Sequence, residues 1–414
     1  MLKNIYRYFI KDALYKSSLY VTASSLVQAV LGFVFWVFVA RLYPAKSVGI
    51  SAALLSVTSL LSNFSSLGVN PSLIRYLPKS NKRNEIINTS LLLNGAASLI
   101  IAGIFLFGVR FFSPHLVFLQ TSYFYIGSFS LFLIFSTWND SVESTFMAYH
   151  SSGNILFKNI ILSILKLIFP FFFVFLGAYG IFASLSLSVL ISALLGFVIL
   201  IKNHAFVLKF SFNTKVLREV SRFSLGNYLS NFLFQTPLLV LPLLIINFIR
   251  PEAAAYFYVA SMILNVILII PVSTTLALLT EGSYDNTELA RHIKKTITLT
   301  ALLLIPAVIG VFLLGKQVLH FFGENYALST FGLLCLLSIS SFFTSIALIG
   351  NSILKVRHKI QKLIYLNILG CIIVLVCSFV FISHGLVPLG IGWLIGQVLM
   401  SFLFIEVLFK ELRA

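Results

Sequence analysis

The stretch SSLYVTASSLVQAVLGFVFWVFVA, residues 17–40, decides the fold. It contains no charged side chain, and about 20 apolar residues rising 1.5 Å each are enough to cross a hydrocarbon core of roughly 30 Å. It is too long for a signal-peptide core and is followed at once by Arg41, so it reads as a retained membrane helix. Eleven further runs of the same kind lie at 49–69, 87–109, 122–138, 159–178, 180–201, 223–249, 255–279, 296–315, 328–350, 363–383 and 386–408. The expected fold class is therefore an all-α polytopic membrane protein with twelve transmembrane helices.

Composition supports that class and excludes others. Of the 414 residues 59% are hydrophobic and only 10% are charged, against about 25% charged in an ordinary soluble domain. One or two soluble cores could not hide so much apolar surface. The formal charge of +17 would suggest nucleic acid in a soluble protein, but in a membrane protein it follows from the retention of Lys and Arg on the cytoplasmic side. With twelve spans and an internal N-terminus, 23 of the 29 basic residues fall in cytoplasmic segments. Only Arg41, Lys46, Arg110, Arg250 and Lys316 fall outside, and Lys166 lies within a span. Both termini are thus expected in the cytoplasm, with the chain in the inner membrane and no nucleic-acid partner. The cysteines Cys335, Cys371 and Cys377 lie in apolar runs and form neither a disulfide framework nor a metal motif.

The two halves of the chain repeat one another. An offset of 207 aligns Gln28 with Gln235, Pro44 with Pro251 and Ala53 with Ala260, and an offset of 208 aligns Ser144 with Ser352, His150 with His358 and Asn159 with Asn367. Six spans per unit is an even number, so the repeats are parallel and related by an axis along the membrane normal, as in many transporters. The expected organisation is an N-lobe at 1–201, a basic cytoplasmic linker at 202–222 and a C-lobe at 223–414. No loop is long enough to form a soluble domain, which places any function within or across the bilayer.

Polar residues inside the spans are the candidates for that function. Lys166, in SILKLIF, is expected to be the only basic residue in a span. Two readings stand side by side: a cavity lysine that attracts an anionic head group, and a lysine whose stem snorkels back to the lipid phosphates. The amides Gln28, Asn227, Asn231 and Gln235 sit on the first helix of each lobe, with Asn63, Asn94, Asn265 and Gln397 elsewhere. Amides in lipid must face other helices or water; Gln28 and Gln235, being repeat-related, would suit sugar hydroxyls in a cavity. Asp140 and Glu143 are placed at the end of the fourth span, leaving no deep carboxylate in the first six helices for cation coupling. The histidines, His150 and His358 among them, lie mostly in or near loops, where histidines with no special role are common. There is no HExxH, GxSxG or phosphate-binding GxxxxGK[ST] motif, so neither an enzyme nor a cofactor is expected.

Several junctions resemble those of polysaccharide transporters. They are FVARLYPAKSVGISAALLSV at 38–57, LGVNPSLIRYLPK at 67–79, FSLGNYLSN at 223–231 and PEAAAYFYVA at 251–260. The resemblance extends over the whole chain and implies a lipid-linked oligosaccharide flippase of the multidrug/oligosaccharidyl-lipid/polysaccharide exporter superfamily. Such a protein is expected to form two lobes in a V around a cationic cavity. It would turn a polyprenyl-diphosphate-linked glycan, for O-antigen, capsule or a similar polymer, to the outer leaflet. The resemblance implies Lys166, Arg75 and Arg41 as cavity or mouth cations, beside the amides Gln28, Asn231 and Gln235. Membrane lipids and other polysaccharide-assembly proteins are the further expected partners. Twelve spans lack the extra helix pair of the lipid II flippases. Competing readings are a cation-coupled multidrug or metabolite exporter on the same fold, a membrane-embedded glycan polymerase or ligase, and a scaffold without transport.

Overall fold

The computed structural model describes residues 13–66, 68–80, 82–209, 214–284 and 288–413. The expected cytoplasmic residues Lys3, Arg7 and Lys11, and the side chain of Asn227, lie outside that description. Among the described residues there is no strand, and thirteen α-helices follow in order. They are α1 (Ala13–Leu42), α2 (Ala45–Ser65), α3 (Val69–Tyr76), α4 (Arg83–Phe112), α5 (Tyr123–Ala148), α6 (Ser152–Phe172) and α7 (Gly177–His204), then α8 (Thr214–Phe248), α9 (Pro251–Tyr284), α10 (Leu289–His320), α11 (Glu324–Val356), α12 (Ile360–Ile382) and α13 (Leu386–Arg413).

Eleven of these are long and apolar enough to cross a membrane. The twelfth, α5, qualifies only together with the preceding 3-10 segment Pro114–Gln120, from which it is bent by 102°. Its mean hydropathy is lowered by Trp138, Asn139, Asp140 and Glu143 in its second half, which the helix can carry because part of that face is covered by protein. The outward faces are apolar, as lipid requires. On α4, Ile100, Ile104, Phe107 and Phe111 form one exposed stripe at helical spacing, while Asn94, Ser98, Ala102 and Phe105 are buried on the opposite side.

Two boundaries differ from the sequence expectation. The second span was expected at 49–69, with LGVNPSLIRYLPK as its end; instead α2 stops at Ser65 and the motif forms the separate short helix α3. Gly68, at φ 73°, supplies the left-handed residue at the break, and Pro71 falls in the first turn of α3, where its missing N–H costs no helical bond. The seventh long helix begins at Thr214, inside the stretch assigned to the linker. No Pro or Gly interrupts residues 214–225, and basic side chains do not stop a helix once it leaves the hydrocarbon.

The chain divides into two compact units, residues 1–43 with 57–228, and residues 44–56 with 229–414. The inclusion of 44–56 in the second unit has a visible cause at Gly49. A Cβ there would lie 1.6 Å from the carbonyl oxygen of Pro251, so only glycine permits α2 to meet the start of α9.

Part of the internal packing recurs in both units. In the first, α4 packs on α5, α5 on α7 and α6 on α7; in the second, α10 packs on α11, α11 on α13 and α12 on α13. Buried amide–hydroxyl bonds recur at matching positions. Asn159 Nδ2 donates to Ser24 Oγ at 3.0 Å, and Asn367 Nδ2 donates to Ser230 Oγ at 2.7 Å.

The turns after α5 and α11 also coincide. His150 and His358 adopt φ of 53° and 55°. The next N–H reaches back five residues in both, from Ser151 to Phe146 O and from Lys359 to Leu354 O, each at 2.9 Å. This is the Schellman arrangement, in which a left-handed residue closes the helix. The aligned histidines are thus helix caps, in a conformation that histidine tolerates better than most non-glycine residues. Replacing either with valine should lower stability by about 1–2 kcal/mol, because a β-branched side chain is strained at positive φ, whereas glycine should be tolerated. Thermal unfolding of the detergent-solubilised variants checks both outcomes.

Candidate functional site

The second unit encloses a cavity of about 640 Å³. Its polar lining comes from Asn231 and Gln235 on α8, Asn265 on α9, Asn351 and Lys355 on α11, and Gln397 on α13. The local sequence explains the convergence. Asn231 and Gln235 are one turn apart, and Thr344, Leu348, Asn351 and Lys355 recur at helical spacing, so each set forms one stripe on its helix. Pro237 and Pro242 lie inside α8 and leave the carbonyls of Leu233 and Leu238 without their usual helical donors. Leu233 and Leu238 both line the cavity.

Hydrogen bonds arrange part of this lining and leave part open. Lys355 Nζ donates to Asn231 Oδ1 at 3.1 Å, and Thr344 Oγ1 donates to Gln397 Oε1 at 3.2 Å. Asn351 Oδ1 accepts from Asn367 Nδ2 at 2.7 Å, so its carbonyl is occupied by the interface between α11 and α12. Gln235 and Asn265 are exposed to the cavity and hold no hydrogen bond among the described residues. Trp393, whose Nε1 donates to Ser340 Oγ at 3.0 Å, adds a fixed aromatic surface. One cation, several amides and an indole can bind a hydroxyl-rich ligand with an anionic group: amides offer donor and acceptor together, a flat ring can pack against a sugar, and an ammonium can neutralise a phosphate.

Asn231 and Gln235 were candidates from sequence, and they are brought together here. Lys355 was not, because its position near the end of a span assigned it to a cytoplasmic loop. The stripe of Thr344, Asn351 and Lys355 on a helical wheel is the signal that would have revealed it.

The first unit holds the other candidates in a different arrangement. Lys166, on α6, is 7% exposed, and its Nζ lies 3.5 Å from the backbone carbonyl of Gln28 on α1. Gly32 lies beside the ammonium, and a Cβ there would make an ordinary contact of 3.6 Å with Nζ. Lys166 and Gln28 are therefore neighbours within one helix pair. Arg75 is exposed at the end of α3, with its guanidinium 5.7 Å from the ring centre of Tyr76, and Arg41 is exposed at the end of α1. Asn94 joins neighbouring helices by donating to Ser141 Oγ at 2.9 Å, whereas Asn63 bonds back to Ser59 on its own helix.

One expectation is corrected in this unit. Lys166 is not the only basic residue within a span: Lys158 lies in α6 and is fully buried. Its ammonium donates to Asn139 Oδ1 at 2.6 Å and to Glu143 Oε1 at 2.9 Å. The loop position read from sequence failed because α6 starts at Ser152, a full turn before Lys158. Gly196 makes the fit possible, since a Cβ there would come 3.4 Å from the Lys158 stem and 2.6 Å from Val142. A cation removed from water needs such partners.

The geometry can now be set beside known proteins. A family model described as "Polysaccharide biosynthesis protein" matches residues 14–279. The chain belongs to that family. A putative O-antigen transporter of Shigella flexneri is 31% identical over 122 residues, a stretch covering 29% of this chain and 29% of that protein. The fold is shared with an inward-facing multidrug resistance MATE family transporter of the MOP superfamily, at a TM-score of 0.74 and 15% identity over 95% of this chain and 98% of that one. The lipid II flippase MurJ, in an inward closed conformation, matches at a TM-score of 0.73 and 15% identity over 95% of this chain and 90% of that one. This member of the polysaccharide biosynthesis family is thus a multi-pass helical membrane protein with the MOP transporter fold.

The ion pair of the buried Lys158 with the partly exposed Glu143 yields a stability test. Glu143→Gln leaves the Lys158 ammonium buried without its counter-charge, and the expected loss is about 3 kcal/mol. Adding Lys158→Met to that variant should restore most of the loss, because the buried charge is then removed. The measurement is the unfolding midpoint of the single and double variants in the same detergent.

Proposed function

We propose that this protein translocates a polyprenyl-diphosphate-linked oligosaccharide, a unit of O-antigen, capsule or a similar surface polysaccharide, across the cytoplasmic membrane by alternating access. The observation that carries the proposal is the cavity of the second unit, in whose largely apolar lining five amides and, among the described residues, one cation, Lys355, converge. Moving a diphosphate and several sugars through hydrocarbon unaided would cost tens of kcal/mol, so the task demands a polar cavity. Family membership and the match to a putative O-antigen transporter support the same substrate class. The fold alone does not distinguish a multidrug exporter from a lipid flippase, since it matches a representative of each equally well.

In this proposal Lys355 meets a phosphate, while Asn231, Gln235 and Asn265 meet sugar hydroxyls. Lys166 and Gln28 serve the ligand from the first lobe, and Arg75 and Arg41 act at the mouths of the pathway. The lobes are 1–201 and 223–414, tethered by 202–222, with both termini in the cytoplasm, a placement that the distribution of Lys and Arg supports. The protein moves its ligand and makes or breaks no covalent bond. Membrane lipids surround it, and other polysaccharide-assembly proteins supply and receive the glycan.

Native mass spectrometry of protein extracted gently from its own membrane should retain a polyprenyl-phosphate-linked glycan. Only ordinary phospholipid, in cells that accumulate the glycan-lipid, would favour an exporter instead. Lys355→Gln should reduce translocation by about tenfold or more, the value of one charge-assisted contact to phosphate. Unchanged translocation at normal protein level in both Lys355→Gln and Lys166→Gln would overturn the assignment of the site.

A further inference from the structure

A second pocket, of about 740 Å³, lies wholly within the first unit and is separate from the cavity described above. Three connections build it: the start of α4 supplies Lys82, Arg83 and Glu85, the turn after α5 supplies Tyr149, and the end of α7 supplies Lys202 and His204. Three permanent cations therefore face one carboxylate. Lys82 and Glu85 form a solvent-exposed pair at 3.5 Å, which leaves the pocket with excess positive charge.

The pocket walls are held in place. Tyr149 and His204 stack with ring centres 4.5 Å apart and planes 5° from parallel, and the Arg83 guanidinium stands 5.8 Å from the Tyr149 ring centre. Beyond His204, Ala205 turns the chain at φ 51°, and the following segment is strapped along α4. Asn88 does the strapping: its Nδ2 donates to Val207 O at 2.8 Å and its Oδ1 accepts from Lys209 N at 3.1 Å. Phe206 is buried in a core cluster with Ile86, Phe146 and Leu200. The cations are thus carried on a fixed frame.

An apolar track leads to the same place. Leu194, Val198 and Ile201 form an exposed stripe on α7 that ends beside Lys202, and Val207 and Leu208 are exposed just beyond. A soluble phosphate compound would have no use for this stripe, whereas acyl chains would lie along it. The charge asymmetry assigns this end of the unit to the cytoplasmic face, where anionic lipids concentrate.

We infer that the pocket is a binding site for the phosphate ester head group of an anionic membrane phospholipid. Lys82, Arg83 and Lys202 hold the phosphate, and the stripe on α7 guides the acyl chains. The site is independent of the translocated ligand, and its failure would leave the proposed transport intact.

The full chain, in zwitterionic micelles without glycan-lipid, can be titrated with phosphatidylglycerol or phosphatidylcholine and read by native mass spectrometry. Wild type should retain phosphatidylglycerol about tenfold better than phosphatidylcholine. The variant carrying Lys82→Gln, Arg83→Gln and Lys202→Gln should lose that preference, while Lys294→Gln with Lys295→Gln, outside the pocket, should keep it. If the triple variant does not fold, the single reversal Lys202→Glu should show the same loss. Equal retention by wild type and the pocket variants overturns the site. Protection from thermal unfolding by inorganic pyrophosphate in wild type alone, without lipid retention, overturns the lipid source and leaves a site for a free phosphate ester.

Discussion

The cost of an unpartnered polar group in hydrocarbon is the constraint on which this structure depends. Backbone groups meet it by remaining helical, and side chains meet it by turning inward and pairing. Ser98 pairs with Thr137, and the amide nitrogens of Asn94, Asn159 and Asn367 pair with Ser141, Ser24 and Ser230, while the Oδ1 atoms of these three asparagines stay buried without a partner among the described residues. The same constraint explains α5, whose second half is too polar to pass as a span by composition but whose Asn139 and Glu143 are engaged by Lys158. Polarity within a span therefore marks either an interface between helices or a cavity, and in this protein both occur.

The repeat supplies a common frame that the two units fill differently. Their caps at His150 and His358 coincide, and so do three of their helix pairs, so much of the backbone solution recurs. Position 143 repeats at 351 under the offset of 208, and there the chemistry diverges: Glu143 pairs with a buried lysine, whereas Asn351 bonds to Asn367 and borders an open cavity. In the second unit the ammonium of Lys355 instead lines the cavity, where it bonds to Asn231. In the first, the buried ammonium of Lys158 is consumed by its own neighbours.

Family membership and the shared MOP fold agree with this division between frame and contents. A common fold accommodates multidrug transporters and a lipid flippase, since the helices set only where a cavity can form. What enters is selected by the few side chains that line it. Here the described lining is largely apolar, with five amides, one lysine and an indole set into it, so it offers both apolar surface and polar partners.

Much of the frame was legible in the chain. The runs of apolar residues, the excess of Lys and Arg in alternate segments and the pairing of His150 with His358 depend on local composition and spacing, which a linear text preserves. Asn231 and Gln235 could be marked as candidates, because amides in an apolar span must face other helices or water. Lys158 and Lys355 were misread for one reason: a charge near the end of an apolar run looks like a loop residue until the neighbouring helices are known. Whether such a charge reaches water, a carboxylate or a cavity is decided by side chains 15 or more than 100 residues away, as Glu143 and Asn231 show. Hydropathy and periodicity determined the class of this protein and its twofold plan, because the bilayer acts on each segment in turn. Only the tertiary structure decided which polar groups neutralise one another and which remain free to bind, because that depends on contacts between segments.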